Sequence, residues 1–200
     1  LLAADASREY IFCGNITRDG LVLNMDFNED QYTTDASGYN NTGYIHGANW
    51  TRNGKFGDAY QFDGVNDYVE VRDSSLLQPQ NFTISGWIKK TAEPANYSYI
   101  ISKINSSDGN YTGFSVLYDN NPTKSIYLAI FNTSGKETNT ASSFINVTNS
   151  TWEFFAFTFN GTNISIYKNG SQIGSISFEG NYIPSNISLT IGKASFFDGN

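Results

Sequence analysis

Fourteen asparagines in this chain of 200 residues have the sequence context that N-glycosylation requires, Asn-x-Ser or Asn-x-Thr without an intervening proline. They are Asn15, Asn40, Asn49, Asn81, Asn96, Asn105, Asn110, Asn132, Asn146, Asn149, Asn160, Asn163, Asn169 and Asn186. With 24 Asn and 39 Ser or Thr in the chain, random placement would give roughly five such triplets. Because N-glycans occupy protein surfaces outside the cytoplasm, the excess predicts covalent N-glycans and an extracellular or cell-surface location. The alternative is that an Asn-rich and Thr-rich β-protein accumulates the triplets in its turns without using them.

Residues suited to catalysis are sparse. Glycoside hydrolysis needs two carboxylates that face each other across a sugar, and the nearest approach to this is the group Asp26, Glu29 and Asp30 near a strand end. Adjacent Glu29 and Asp30 would point to opposite faces of an extended chain. The single histidine, His46, has no Ser, Cys or second His at a persuasive distance, and no phosphate-binding glycine loop is present. The sequence therefore predicts a protein that is not an enzyme.

The net charge and the cysteine content limit the kinds of partner and covalent link that the chain can have. The net charge is −7 and the isoelectric point about 4.6, so the surface repels phosphate backbones, and we expect no nucleic-acid partner. The single cysteine, Cys13, cannot form an intramolecular disulfide, and it is either a small buried hydrophobe or a link to another chain. The sequence contains no run of 18 apolar residues, so we expect no transmembrane segment in this chain. The opening Leu-Leu-Ala-Ala is too short for a signal peptide, which predicts a processed or truncated N-terminus.

The elements that must position any site are strands. Short segments rich in aromatic and β-branched residues recur between clusters of Gly, Asn, Asp and Ser. The predicted strands are 21–27, 44–50, 59–62, 68–72, 82–89, 97–103, 113–118, 125–132, 142–147, 152–159, 163–168, 171–178 and 188–192. So many strands in one domain predict two packed antiparallel sheets. One short helical turn is predicted at 73–77, with Asp73 as its cap.

The order of these segments resembles the laminin-G-like, concanavalin A-like jelly-roll family. The resemblance rests on GLVLNMDF at 20–27, on the strand–turn–strand segment GDAYQFDGVNDYV at 57–69, and on FTISGWI at 82–88. It continues through Trp152, the segment IYKNG at 166–170 and LTIG at 189–192. It implies an all-β, two-sheet antiparallel β-sandwich at residues 19–200, preceded by a lead-in or linker at residues 1–18.

One departure from the family concerns the last strand. Members usually finish with one further strand beside the first, but here the chain stops at residues 196–200, where that strand should begin. A missing strand would leave an open sheet edge that invites pairing. Three explanations are open for the missing last strand. The sequence is truncated, the strand-like run at residues 7–18 takes the position of that strand, or a strand from a neighbouring subunit takes it.

The resemblance also implies a structural Ca²⁺ site. Calcium takes hard oxygen ligands, and the loop most like the family's ion site is formed by Asp35, Ser37, Gly38 and Asn40. A second group of oxygen ligands is Asp63, Asn66 and Asp67, although a hairpin turn favours Asp and Asn there in any case.

Two functions follow from these features. The preferred one is a non-enzymatic, heavily N-glycosylated module of a cell-surface structural protein, appendage such as a pilus or filament, or adhesin. Its partners would be other copies, other surface proteins or glycans. The alternative is a calcium-dependent carbohydrate-binding module of a larger secreted protein. Aromatic platforms for sugar would come from tyrosines in or near loops, namely Tyr97, Tyr99, Tyr111, Tyr118 and Tyr182. Strand propensity explains these tyrosines equally well.

Overall fold

The protein is an antiparallel β-sandwich. A computed structural model describes residues 2–3, 20–93, 97–107, 110–120, 124–139 and 145–195. Within these residues the regular structure is almost entirely strand, with a single short 3-10 turn at Ser75–Leu77. The all-β, two-sheet prediction is therefore confirmed. Among the described residues, no helix is long and apolar enough to cross a membrane.

The described residues contain sixteen strands, numbered in chain order. Their bounds are β1 Leu2–Ala3, β2 Tyr32–Thr33, β3 Gly43–His46, β4 Asn49–Thr51, β5 Ala59–Gln61, β6 Tyr68–Val71, β7 Phe82–Lys89, β8 Tyr97–Ser107, β9 Asn110–Asp119, β10 Ser125–Phe131, β11 Glu137–Asn139, β12 Ile145–Asn146, β13 Trp152–Phe159, β14 Asn163–Lys168, β15 Ser171–Ser177 and β16 Leu189–Ile191. They form a seven-stranded sheet in the order β15-β14-β13-β7-β1-β5-β4. The other sheet has nine strands, in the order β11-β10-β9-β8-β16-β6-β3-β2, and its β12 pairs with β10.

The core lies between the two sheets and follows the two-residue period of the strands. In β13, Phe155, Phe157 and Phe159 are at most 2% exposed and pack into the core, whereas Phe154 lies outside it against Trp87. Alternate side chains of a strand point to opposite sides of the sheet, so one strand contributes both a core face and an outer face. The strand therefore shows the two-residue alternation of a strand in a packed sheet.

Three local predictions differ from the structure. Residues 21–27 form no strand, and only Met25 makes an isolated bridge, to Asp35. The predicted strand 44–50 is two strands, β3 and β4, because Gly47 adopts a φ of +80° between them and turns the chain from one sheet to the other. The cap of the turn at 75–77 is Ser74, not Asp73, whose carboxylate instead pairs with Lys103.

The slot between β5 and β7 in the seven-stranded sheet is entered by β1. Leu2 lies opposite both Tyr60 and Ile88, so the first residues of the chain join two strands that would otherwise be separated. The segment 7–18 and the expected start of a last strand at 196–200 lie outside the described residues. Cys13 does too.

Phe157 gives a test of the core assignment. Replacing Phe157 with Ala removes a side chain that is 0% exposed, and should lower the free energy of unfolding by about 3–5 kcal/mol. Phe154→Ala is the matched control, because the same truncation occurs on the outer face of the same strand. Urea unfolding should show a clearly smaller loss for the control. Equal losses would contradict the assigned orientation of β13.

Candidate functional site

Strands β3 and β6 present an aromatic and charged face on the outside of the nine-stranded sheet. Their antiparallel register places Tyr44 opposite Glu70 and His46 opposite Tyr68. Side chains directly opposite each other lie on the same face of the sheet. Arg72 follows β6 on the same side. We call Tyr44, His46, Tyr68, Glu70 and Arg72 the β3–β6 face.

The inward residues of the same strands hold this face in place. Val69 and Val71 are 0% exposed, and they lie opposite Ile45 and Gly43 in the register. Gly43 has no room for a side chain, because a Cβ would come within 2.7 Å of Val69 Cγ1. A slip by one residue would turn the valines to solvent and bury the polar face, so the core fixes the outward direction of Tyr68 and Glu70.

The rings of the face are stacked and flanked by cations. The rings of His46 and Tyr68 have centroids 4.2 Å apart and planes within 8° of parallel. Lys193 Nζ lies 4.6 Å from the centre of the Tyr68 ring, and the guanidinium carbon of Arg72 lies 5.1 Å from the centre of the Tyr44 ring. Tyr32, opposite Tyr44 on β2, extends the row of rings. Tyr32 and Tyr44 are 45% and 44% exposed, so their ring surface is available to a ligand.

A glycine places Lys193 beside Tyr68. Gly192 follows β16 and has a φ of +91°, a backbone conformation that L side chains rarely adopt. An added Cβ at this position would also lie 2.6 Å from the Phe62 ring. The turn that carries Lys193 over the sheet therefore depends on the absence of a side chain at residue 192.

Two clefts open on either side of Tyr68 and Lys193. The first has a volume of about 410 Å³ and is lined by polar groups that include Asp73, Asn186 and Thr190. The second is about 590 Å³ and is bounded by His46, Gly47, Val65 and Asn66. These volumes are within the range of small-molecule sites in proteins. The rings of the β3–β6 face thus adjoin recesses that contain hydrogen-bonding groups.

A buried ion pair lies beneath the first cleft. Lys103 is 1% exposed, and its ammonium group donates hydrogen bonds to the carboxylate of Asp73 and the carbonyl oxygen of Ile187. Gln78 donates a third hydrogen bond, to the other Asp73 oxygen, at 2.7 Å. Desolvation lowers the pKa of Lys103. The pair ties β8 to two residues that line the cleft, Asp73 and Ile187, and the lysine compensates the charge of Asp73.

Among the residues predicted to bind calcium, Asp35 has its carboxylate fully engaged with hydrogen-bond donors. Oδ1 accepts from the N–H groups of Asn24 and Ser37, both at 2.9 Å, and Oδ2 accepts from the Ser37 hydroxyl at 2.7 Å and the Asn41 N–H at 3.0 Å. Gly38 and Asn40 have positive φ angles of 96° and 58° in the same turn. A cation at Asp35 would have to displace several of these donors. Calcium at this loop stays a prediction.

The other carboxylates considered from the sequence also accept hydrogen bonds from nearby backbone N–H groups. Asp63 Oδ1 accepts the N–H of Val65 at 2.8 Å, and Asp67 Oδ2 accepts the N–H of Asp63 at 2.8 Å. Glu29 accepts the N–H of Thr34, and Asp26 that of Asn28. Among the described residues, no group of three His, Cys, Asp or Glu side chains is arranged to hold a metal ion.

The acceptor triplets lie mostly on the surface. Ten asparagines are exposed, namely Asn40, Asn49, Asn81, Asn110, Asn146, Asn149, Asn160, Asn163, Asn169 and Asn186. Asn105 is half-buried, and Asn15 and Asn96 lie outside the described residues. Asn132 differs from the other described triplet asparagines because it is 7% exposed and its Nδ2, the atom that would carry a glycan, donates to the Glu179 carbonyl at 3.0 Å.

The tyrosines named from the sequence do not form one platform. Tyr118 and Tyr182 are buried at 3% and 8% exposure, while Tyr97 is 60% exposed. Tyr99 packs against a small cluster on the outer face, and Tyr111 stacks on Phe131. Sequence reasoning missed Tyr44 and Tyr68. The available signal was the alternation of polar and aromatic residues with buried ones in β3 and β6.

The sequence of the chain matches a known protein superfamily. The sequence profile of the Concanavalin A-like lectin/glucanases superfamily matches residues 63–200, more than half of the chain. The chain belongs to this superfamily. Among curated proteins, no sequence matches it significantly.

Several solved structures share this fold at low sequence identity. A mutant of HCR/D has a TM-score of 0.69 at 18% identity, with 89% of this chain and 45% of that chain covered. The binding domain of botulinum neurotoxin serotype D gives 0.62 at 17% identity, with 84% and 43% covered. Domain 4 of AbnA, a GH43 extracellular arabinanase from Geobacillus stearothermophilus, solved in complex with arabinotriose, gives 0.63 at 17% identity, with 86% and 82% covered. The chain spans less than half the length of the HCR/D and neurotoxin chains.

The Asp35 turn gives a prediction about pH. Burial would raise the pKa of Asp35, but the hydrogen bonds from Ser37, Asn24 and Asn41 outweigh it and lower the pKa below its ordinary value of 3.8. Asp35→Asn should lower the free energy of unfolding at pH 7 by about 1–3 kcal/mol, because an amide cannot accept at both positions. A group with a lowered folded pKa stabilises the protein above its unfolded pKa, and loses this effect as the pH falls through the folded value.

The difference between wild type and Asp35→Asn should therefore shrink as the pH falls below 3.8. Urea unfolding at a series of pH values measures it. Asp30→Asn is the control, because Asp30 is exposed and close by in the chain, and should have little effect. A difference that stayed constant down to low pH would contradict the assigned role of the Asp35 carboxylate.

Proposed function

We propose that this domain is a non-enzymatic saccharide-binding module of a glycoprotein that lies outside the cell, and that saccharide binds at the β3–β6 face. The observation that carries the proposal is the row of exposed Tyr32, Tyr44 and His46 and half-buried Tyr68 beside two clefts. The fold alone would not support it, since one fold hosts many functions.

The chemistry of the face suits sugar rings. A pyranose or furanose has an apolar C–H surface that packs on an aromatic ring, while its hydroxyls need hydrogen-bond partners at the edge of that ring. Tyr32 and Tyr44, the exposed rings of the row, supply the first, and the neighbouring polar side chains of Glu70 and Thr190 supply the second. AbnA domain 4, which shares the fold, was solved with arabinotriose, and this supports the assignment of a sugar as ligand.

The distribution of acceptor triplets also favours a binding face here. Strands β2, β3, β6 and β16 carry no triplet asparagine, whereas the turns and edges of the other strands carry many. A module that binds saccharide would keep its binding face clear of its own glycans. Asn186 is the exposed triplet closest to the face, because it lines the first cleft.

A second candidate function is a structural module of a surface layer, appendage or adhesin that acts through packing and shielding. It is supported by the ten exposed triplets, which would cover much of the surface with glycan. Its partners would be other copies or other surface proteins. Calcium would belong to the binding function, at Asp35, Ser37, Gly38 and Asn40. A rise in melting temperature on adding Ca²⁺ that is lost in Asp35→Asn would support this site.

Substitution of Tyr68 or Tyr44 tests the proposed saccharide binding. Replacing Tyr68 or Tyr44 with Ala should weaken saccharide binding by about five- to thirtyfold, because a stacked aromatic contact contributes on the order of 1–2 kcal/mol. Tyr97→Ala is the matched control, since Tyr97 is exposed on β8, well away from the β3–β6 face along the sheet. A glycan array identifies the ligand, and titration calorimetry gives the affinities. Binding that is unaffected in both face variants would place the site elsewhere.

Mass spectrometry of native material tests whether the protein carries N-glycans. The intact mass should exceed the 22.1 kDa of the bare chain, and glycopeptides should map to the exposed triplets. Asn132 should carry no glycan, because its Nδ2 is buried in a hydrogen bond. A mass at the bare value would remove the glycoprotein proposal, and glycan at Asn132 would contradict the described turn.

A further inference from the structure

The outward side chains of four neighbouring strands form a row across the nine-stranded sheet. Tyr32 of β2 lies opposite Tyr44 of β3, and Tyr44 lies opposite Glu70 of β6. Glu70 in turn lies opposite Thr190 of β16. Residues directly opposite each other share one face of a sheet. The line that joins these four residues therefore runs across the strands, and we call it the cross-strand row.

Buried neighbours fix the direction of the two ends of the row. Thr33, next to Tyr32, is 0% exposed, so Tyr32 must point out of the sandwich. Leu189, next to Thr190, packs into the core in the same way. The buried Tyr60 donates a hydrogen bond from its hydroxyl to the Tyr32 carbonyl oxygen at 3.3 Å, which ties the short strand β2 to the interior. The row is therefore in place before a ligand binds, and binding does not have to order it.

The two ends of the row differ. Tyr32 lies on β2, the last strand on this side of the described sheet, so the row reaches the sheet edge there. At the other end, Glu70 and Thr190 line the first cleft, which has a volume of about 410 Å³. Thr190 itself is buried, and its hydroxyl donates to the Lys193 carbonyl oxygen at 2.7 Å. The row thus leads from the edge of the sheet, across two exposed rings, into a recess with hydrogen-bonding groups.

We propose that the cross-strand row binds an extended, linear oligosaccharide of three or more sugars, which lies across the strands with one end in the first cleft. The inference rests on the proposed saccharide-binding function, and names the length and shape of the ligand. The sugar in the cleft would donate hydrogen bonds from its hydroxyls to the Glu70 carboxylate. The second sugar would stack on Tyr44, and the third on Tyr32.

The spacing of the row fits the repeat of an extended sugar chain. Neighbouring strands lie about 4.8 Å apart, which is close to the length that one pyranose adds to an extended chain. Tyr32 and Glu70 are two strands apart, roughly 10 Å, so a single sugar cannot contact both. A chain whose rings lie in line presents a C–H surface to Tyr44 and to Tyr32 at once. A coiled chain turns successive rings away from the sheet and loses the second contact.

The orientation across the strands follows from which ring surfaces are already in contact. Along β3, the next outward ring after Tyr44 is that of His46. One face of the His46 ring is stacked on Tyr68, with the centroids 4.2 Å apart, so a ligand that ran along β3 would find this ring partly covered. Tyr32 and Tyr44 are 45% and 44% exposed. The two adjacent tyrosine rings that remain exposed are therefore arranged across the strands.

Binding as a function of chain length tests the inference. A glycan array and titration calorimetry would use linear oligosaccharides of one to five sugars, in gluco, manno, xylo, galacto, arabino and N-acetylglucosamine series. The gluco series includes both extended cello-oligosaccharides and coiled malto-oligosaccharides. In an extended series that binds, the affinity should rise by about tenfold or more from one sugar to three, and should change little beyond that length.

Variants of the two tyrosines assign the length dependence to the row. Tyr32→Ala should weaken binding of a trisaccharide by about five- to thirtyfold and leave a disaccharide unchanged, because only the third sugar reaches Tyr32. Tyr44→Ala should weaken binding of both. Tyr97→Ala is the matched control. It removes a ring that is also exposed from the start of β8, whereas Ser102 is the residue of β8 that lies opposite Thr190.

The outcomes separate the inference from the function on which it rests. Equal affinity for one sugar and for three, lost in Tyr68→Ala, would overturn the extended ligand and keep the saccharide-binding function. A length dependence that Tyr32→Ala leaves unchanged would also overturn the inference, because the third sugar would then bind elsewhere. Tighter binding of a coiled series than of every extended series would overturn the proposed shape. The absence of binding to every member of the array would overturn both proposals.

Discussion

The two-sided character of strand β6 is the constraint on which the candidate site depends. Val69 and Val71 are fully buried between the sheets, and the residues between and beside them, Tyr68 and Glu70, must then face outward. The same strand pairs with β3 on one side and with β16 on the other, so its register sets which side chains of both neighbours join the face. Core packing and the proposed ligand recognition are coupled because they use alternate residues of one strand.

The buried side chain of Lys103 links the protein interior to the first cleft in a similar way. An ammonium group inside the protein is tolerated only where several groups compensate it, and here a carboxylate and a main-chain carbonyl do so. Both partners line the first cleft, Asp73 after β6 and Ile187 before β16. Loss of the lysine charge would leave the Asp73 carboxylate with only the hydrogen bond from Gln78. The contact that compensates the lysine thus joins two segments that line the cleft.

How much the sequence predicts depends on whether a feature is local. The alternation within β7 and β13 is local, and both strands match their predicted bounds at 82–89 and 152–159. The pairing of His46 with Tyr68 depends on the register of two strands, which no local pattern encodes. Asp35 was predicted as a calcium ligand from its loop, but its partners include Asn24, eleven residues earlier in the chain. Asn132 shows the same limit, since its triplet is a local pattern while the contact that buries it, with Glu179, spans 47 residues.

Two surface properties that the sequence presents separately are related in the fold. The acceptor triplets concentrate in turns and on exposed edges, because Asn, Gly, Ser and Thr are the residues that turns favour. The strands β3 and β6 that build the face consist instead of glycine, aliphatic, aromatic and charged residues, so they contain no triplet. A glycoprotein of this fold would therefore keep its aromatic face bare without a separate device. Glycan could cover the turns while the exposed side chains of Tyr44 and Arg72 remain uncovered, and among the described residues the only triplet asparagine lining either cleft is Asn186, in the first.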